Sequence, residues 1–261
     1  MNTYHGFSEI IPLGSWCRTA FQARQLTKAL APNSKNIGTY PFDWAISPLI
    51  SVTKIIRKQI DPNQILNEDQ TRICPHGFIL CGHSGIRFAH HLKIKELSNK
   101  FQFNPQPGEI LPKEVFKSDE FINAKGRFLH TYVNLHNHLG KSRRLFVRYV
   151  ELSPELTGNT AIYKEVYANE NPMILLESLK QAGVHPTSRL VYIFSKTIPG
   201  VRKIIGNTVQ QISPSNSVIF SCKLLERKGS NGNQEDTFFG DSQSWLDALR
   251  EADSWFTSFN T

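Results

Sequence analysis

The feature that most narrows what this chain can fold into is a repeated order of short apolar strand and then helix. Residues 9–13 (Glu-Ile-Ile-Pro-Leu) form an apolar run closed by Gly14, and residues 16–30 follow with helical character, Ala20, Phe21, Ala23 and Leu26 supplying a buried face. The order returns later: a strand at 144–149, a helix at 172–182 ending on Gly183, strands at 189–194 and 217–225, and a last helix at 243–252. Strands separated by helices cannot close as tight hairpins, so they lie parallel. The pattern predicts an α/β fold, a mainly parallel Rossmann-like sheet with helices on both faces. Residues 71–91 depart from it. Gly77, Gly82 and Gly85 break that stretch and residues 85–90 alternate, which predicts a small antiparallel insertion near residues 70–92.

Further helices are expected from Ser47-Pro48 to about residue 60 and over 113–139, closed by Gly140, with a Pro-rich connection at 102–112. The 261 residues suit a single α/β domain over 1–261, or a motif-bearing half (1–110) and a Rossmann-like half (111–261). No internal repeat or low-complexity segment is present.

Charge and cysteine usage exclude several classes. Lys and Arg outnumber Asp and Glu by 30 to 22, a net charge of +8 that favours anionic partners. The cations are spread along the chain, densest at Lys141-Ser142-Arg143-Arg144 with Arg148 behind, and no nucleic-acid motif accompanies them. A solvated basic surface is the first expectation, a pocket for a phosphate- or carboxylate-bearing substrate the second. The 4 cysteines, Cys17, Cys74, Cys81 and Cys222, are unevenly spaced and do not read as a disulfide framework. No signal peptide or membrane-spanning apolar stretch is visible, and the expected compartment is the cytoplasm.

The best candidate for chemistry is Cys17. In open α/β sheets ligands sit beyond the carboxyl ends of strands, and Leu13-Gly14-Ser15-Trp16-Cys17 is such an end. Gly14 permits a tight turn near a ligand, and Ser15 suits an N-cap. Cys17 then falls in the first helical turn, where the helix dipole stabilises a thiolate, with Arg18 adding positive charge. Free cysteine is also among the most buried residue types, so position alone favours a packing residue, and a base is needed to raise the odds of chemistry. His90 and His91 are the base candidates. On an alternating strand Phe88 and His90 share one face, which would set His90 beside the core. Asp43, between Phe42 and Trp44, is expected to be half-buried and in need of a partner. Two readings stand level: it orients a histidine, or it caps the Ser47 region or pairs with an arginine.

These residues resemble a known group. Leu13-Gly14-Ser15-Trp16-Cys17-Arg18 with Ala20, then Pro41-Phe42-Asp43-Trp44 with Ile46-Ser47-Pro48, then Gly85-Ile86-Arg87-Phe88-Ala89-His90-His91 are similar to the motifs of a bacterial family classed as papain-like cysteine peptidases. Leu145-Phe146-Val147-Arg148 and Trp245 resemble its central strand and C-terminal helix. The resemblance implies Cys17 as nucleophile, His90 as base and Asp43 as a third member. Gly14, Ser15, Trp16, Arg18, Trp44, His91 and Arg148 are the candidate substrate-binding residues. The order Cys, Asp, His differs from papain's. Members of the group look like parts of surface-polysaccharide machinery, which implies glycan or acyl transfer as well as peptide hydrolysis.

Other constellations are weaker. Cys74-Pro75-His76 and Cys81-Gly82-His83 carry ligands a tetrahedral zinc site needs, but their separation is shorter than usual, and no metal or cofactor is expected. His130, His136 and His138 read as surface or core-edge residues of the long helix. Gly200 and Gly206 lack the spacing of a phosphate loop, and residues 228–234 read as a polar loop. The first expectation is a cysteine-dependent hydrolase or acyltransferase acting on a small-molecule, glycan or peptide substrate. A transferase using a phosphorylated or nucleotide-sugar donor, with Arg148 near a strand end, is the alternative. A non-enzymatic binding module for an acidic glycan or a protein is the third. Nucleic acid is not expected as a partner.

Overall fold

A computed structural model describes residues 7–14, 17–30, 38–88, 90–150, 169–195 and 219–225; the side chains at 17, 18, 26, 28–30, 194, 195 and 219–225 are outside the description. The elements in chain order are β1 (Glu9–Pro12), α1 (Cys17–Leu30), β2 (Ala45–Ile46), α2 (Leu49–Ile56), β3 (Thr71–Ile73), β4 (Ile79–Cys81) and β5 (Arg87–Phe88), then α3 (Ile94–Phe101), α4 (Lys113–Phe116), α5 (Asp119–Leu139), β6 (Arg144–Val150), α6 (Pro172–Gln181), β7 (Arg189–Ser195) and β8 (Ile219–Leu225).

The mixed α/β class holds. One sheet is parallel, ordered β1-β6-β7-β8, with Pro12 opposite Val147 and Val147 opposite Val191. Strand β6 shows why this sheet is interior: its apolar residues run on without alternation and all of residues 145–150 are buried. A strand buried on both faces must be covered from both sides. One face contributes Phe146, Val150, Leu190 and Tyr192 to the main core, while the alternate residues Leu145, Val147, Tyr149, Val191 and Ile193 are buried on the other. Among the described strands the order along the sheet follows the chain, so they contain no reversal of the kind that makes a crevice between neighbouring strands.

The second sheet is antiparallel and separate, ordered β2-β5-β4-β3, with Ala45 and Ile79 both opposite Phe88. It recruits β2 from residues 45–46, outside the stretch expected to be antiparallel. One cluster joins the two sheets through Ile79 and Phe88 on one side, Phe146 and Leu190 on the other, and residues of α2, α5 and α6 between. Since β1 pairs with β6, the parallel sheet draws on both halves of the chain.

Three helical segments differ from expectation, the first being α3, which falls where no element was expected. The segment 113–139 is two helices, because the Ser118 hydroxyl accepts from Phe121 N at 3.3 Å and donates to Val115 O at 2.7 Å, starting α5 afresh. Helix α2 stops at Ile56, and Lys58 follows with φ 55°, a left-handed conformation that ends a helix. The expected helix at 243–252, with Trp245, and the loop at 228–234 lie outside the described residues. Among the described residues no helix is long and apolar enough to cross a membrane.

Candidate functional site

The site is built where β1 ends. Leu13 continues the ladder by donating its N–H to Val147 O at 2.7 Å, and Gly14 then turns with φ 71°. A Cβ at Gly14 would stand 2.9 Å from Phe42 Cβ and 3.1 Å from Ser47 Cβ. The glycine expected to let the chain approach a ligand therefore lets it approach its own Pro41-Phe42-Asp43-Trp44 segment. Cys17 is the first residue of α1, as its position after the turn predicts. The Thr19 hydroxyl donates to Gly14 O at 3.2 Å, tying the helix start to the turn. Ser15 and Trp16, and the side chains of Cys17 and Arg18, lie outside the described residues.

Asp43 is 1% exposed. It accepts from Tyr40 N at 3.0 Å and is ion-paired to Arg24 of α1. Of the two readings the sequence left open, pairing with an arginine is present, and Arg24 is the partner. Burial pushes the Asp43 carboxyl up to about 7, against the pull of Arg24 and of the Tyr40 N–H. Its second oxygen, Oδ1, is buried with no hydrogen-bond partner among the described residues.

Trp44, 39% exposed, gathers the remaining groups. The Arg24 guanidinium lies 5.2 Å from its ring centroid. His90 and His91 both meet the ring edge-on, at 5.8 Å and 6.1 Å between centroids. Strand β5 ends at Phe88, so the histidines sit on a bend and the alternation used to place His90 beside the core does not reach it. His90 is exposed and His91 half-buried. Partial burial, then Lys93, holds the His90 imidazole below its usual value; burial, then Arg127 and His90, does the same for His91.

Arg148, expected near the substrate, is 0% exposed. Its Nε donates to Glu170 Oε2 at 3.0 Å and to the Tyr192 hydroxyl at 3.2 Å, its Nη1 to Leu13 O at 2.8 Å, and its Nη2 to Ser47 O at 3.1 Å and to Glu170 Oε1. It is an internal clamp on the turn after β1 and on the approach to α2, not an open receptor for an anion. Nothing in its local sequence predicts Glu170, which precedes α6, as its counter-ion.

A second polar cluster was missed in the sequence. At the opposite end of the sheet Glu9, 5% exposed, accepts from the Tyr40 hydroxyl, lies 2.7 Å from His138 Nδ1 and pairs with Arg144 Nε at 3.3 Å. The glutamate at the start of an apolar strand was the available signal, since a buried carboxylate demands partners.

The two Cys-x-His pairs do not assemble. Cys81 stands opposite Thr71 in the β3–β4 ladder, while Cys74 lies in the hairpin turn, its N–H donating to Phe78 O at 2.9 Å. Both are free, buried thiols, and no group of three or more His, Cys, Asp or Glu among the described residues is placed to hold a metal ion. No family model, curated protein or solved structure matches this chain.

Proposed function

We propose that the chain is a cysteine-dependent hydrolase or acyltransferase, with Cys17 as nucleophile and His90 as general base, on the papain-like resemblance of its motifs. The observation that carries the reading is the convergence at the end of β1. The turn at Gly14 packs on Phe42 and Ser47, the next helix opens with Cys17, and Trp44 of the same packed segment contacts both histidines. A cysteine at the first position of a helix sits where backbone dipoles favour its thiolate. An imidazole held below its usual value is neutral near pH 7, the form a base requires. Asp43 keeps one buried oxygen unbonded, the acceptor a third member would offer. A Rossmann-like architecture is the finer reading of the parallel sheet that belongs to the same proposal.

In this mechanism His90 takes the Cys17 proton and sulfur attacks the substrate carbonyl carbon, forming a C–S bond and a tetrahedral oxyanion. Backbone N–H groups of the first helical turn stabilise that oxyanion. Collapse breaks the bond to the leaving amine or alkoxide, which takes the proton from His90. Water or an acceptor hydroxyl then gives its proton to His90 and displaces the thiol. The transferase alternative drew on the alternation of strands and helices, the basic balance and arginines such as Arg148 near strand ends, and the enclosure of Arg148 removes that one cation from its support.

Alkylation by iodoacetamide tests the reading, with buried Cys74 and Cys81 as slow internal references. One site is expected to react at least ~tenfold faster than an ordinary thiol near neutral pH. That fast phase is expected to vanish in Cys17→Ala and to slow in His90→Ala. Labelling of Cys17 no faster than a free thiol, unchanged in His90→Ala, would overturn it.

A further inference from the structure

We propose that the groove between Trp44 and α5 is a carboxylate-binding subsite, in which Arg127 and His91 grip the acidic group of a ligand. As a statement about substrate it rests on the cysteine reading above; as a binding site it stands apart from it.

Helix α5 turns Ala124, Arg127, Phe128 and Thr131 toward Trp44 and Phe88, since residues three, four and seven apart share one face. Small Ala124 leaves a cavity of about 30 Å³. That is room for about two waters, hence for the two oxygens of a carboxylate. Its walls are apolar: Trp44 on one side, and Phe88 and Phe128 packed edge to face at 6.2 Å. Apolar walls lower the local dielectric and strengthen a charge pair at the rim.

The polar groups on the lining divide into two sets. The Tyr40 hydroxyl is committed to Glu9, and the Thr131 hydroxyl donates to Phe128 O at 2.9 Å. Arg127, His91 and the indole N–H of Trp44 remain, with Arg127 Nη1 lying 3.4 Å from His91 Nδ1. With Nδ1 accepting from Arg127, the imidazole carries its hydrogen on Nε2 and has a donor to offer. The nearby cations have acids: Arg24 pairs with Asp43 and Lys93 with Glu96. Arg127 has no carboxylate partner among the described residues and faces an imidazole instead. The site thus holds a positive charge, uncommitted side-chain donors and no anion among the described residues. A planar, two-oxygen group matches the guanidinium fork.

Titration with acetate, D-glucuronate, N-acetylalanine, D-glucose and inorganic phosphate, read by the histidine Cε1–H signals in NMR, tests this, with His91→Gln identifying the His91 signal. The carboxylates are expected to shift the His91 signal saturably while glucose leaves it unmoved. The tighter of glucuronate and N-acetylalanine then identifies the acid's source as glycan or peptide. Arg127→Met is expected to weaken carboxylate binding at least ~tenfold without changing the melting temperature, because the side chain is exposed; Arg127→Lys is expected to fall between. Equal binding by wild type and Arg127→Met, or no shift of His91, would overturn the subsite, and phosphate binding tighter than any carboxylate would overturn the carboxylate assignment. Cys17→Ala is expected to bind as wild type does. Failure of the cysteine reading then appears as slow labelling with carboxylate binding intact, and failure of the subsite as fast labelling without it.

Discussion

The two ends of the parallel sheet solve one problem in different ways. Strand β6 carries an arginine near each end, Arg144 and Arg148, four residues apart and on one face. Each meets a buried glutamate and has a tyrosine nearby: Glu9 and Tyr40 at one end, Glu170 and Tyr192 at the other. Arg144 keeps 11% of its side chain exposed, and its cluster joins strand starts to the end of α5 through His138. Arg148 is wholly enclosed and spends two donors on backbone carbonyls, at Leu13 and Ser47. The first cluster anchors elements. The second shapes loops, and those loops carry the candidate site. A buried charge therefore does more than stabilise here: its fork sets where the turn before Cys17 stands relative to the Asp43 segment.

Three experiments would break or sharpen this contrast. The largest effect is expected from Arg148→Met, which strands the Glu170 carboxylate in the core and should remove roughly 3–5 kcal/mol in urea melts. Arg144→Met should remove only about 1–2 kcal/mol, since its end is partly solvated. Equal losses would mean the two ends are equivalent.

Next is a pH effect from Asp43. Its folded carboxyl titrates at about 7, while the unfolded value is near 4. Between these values the folded chain holds a proton that the unfolded chain has released. This contribution to stability is therefore fullest below about pH 4 and is lost as pH rises to about 7. Relative to Asp43→Asn, wild type should lose about 3 kcal/mol between about pH 5 and about pH 8. A parallel course of the two stability curves would show that the Arg24 pair keeps the carboxylate ionised throughout.

The smallest expected effects come from one glycine at each end. Gly14→Ala forces a side chain into a left-handed turn against Phe42, and about 2 kcal/mol should be lost. Gly38→Ala meets the tips of Tyr40 and Glu9, which can shift, so about 1 kcal/mol is expected. If the order were reversed, close packing at Gly14 would not be what holds the site loop.

Much of the fold was legible along the chain. Strands β1, β6, β7 and β8 and helices α1 and α6 fall within a residue or two of where apolar runs and glycine stops placed them. The antiparallel segment was legible as a type but not in extent, because two residues at 45–46 carry no periodicity and join a sheet only through Phe88. The break at Ser118 was missed because a hydroxyl cap outweighed continuous helical propensity. Of the site, Cys17 at a helix start was readable from its turn, and Asp43 as a half-buried acid in need of a partner from its aromatic neighbours, though the fold encloses it further. His90 was placed wrongly, since alternation was carried past the end of β5.

The sequence alone determined the order of the parallel strands and of the helices that open and follow them, and the parallel and antiparallel character of the two sheets, because hydrophobic period and turn chemistry are local. Tertiary structure alone decided the partners: Glu170 for Arg148, Arg24 for Asp43, Glu9 for His138 and Trp44 for both histidines. A buried charge requires a counter-charge but does not specify where in the chain it comes from, and only the packing of distant segments supplies one.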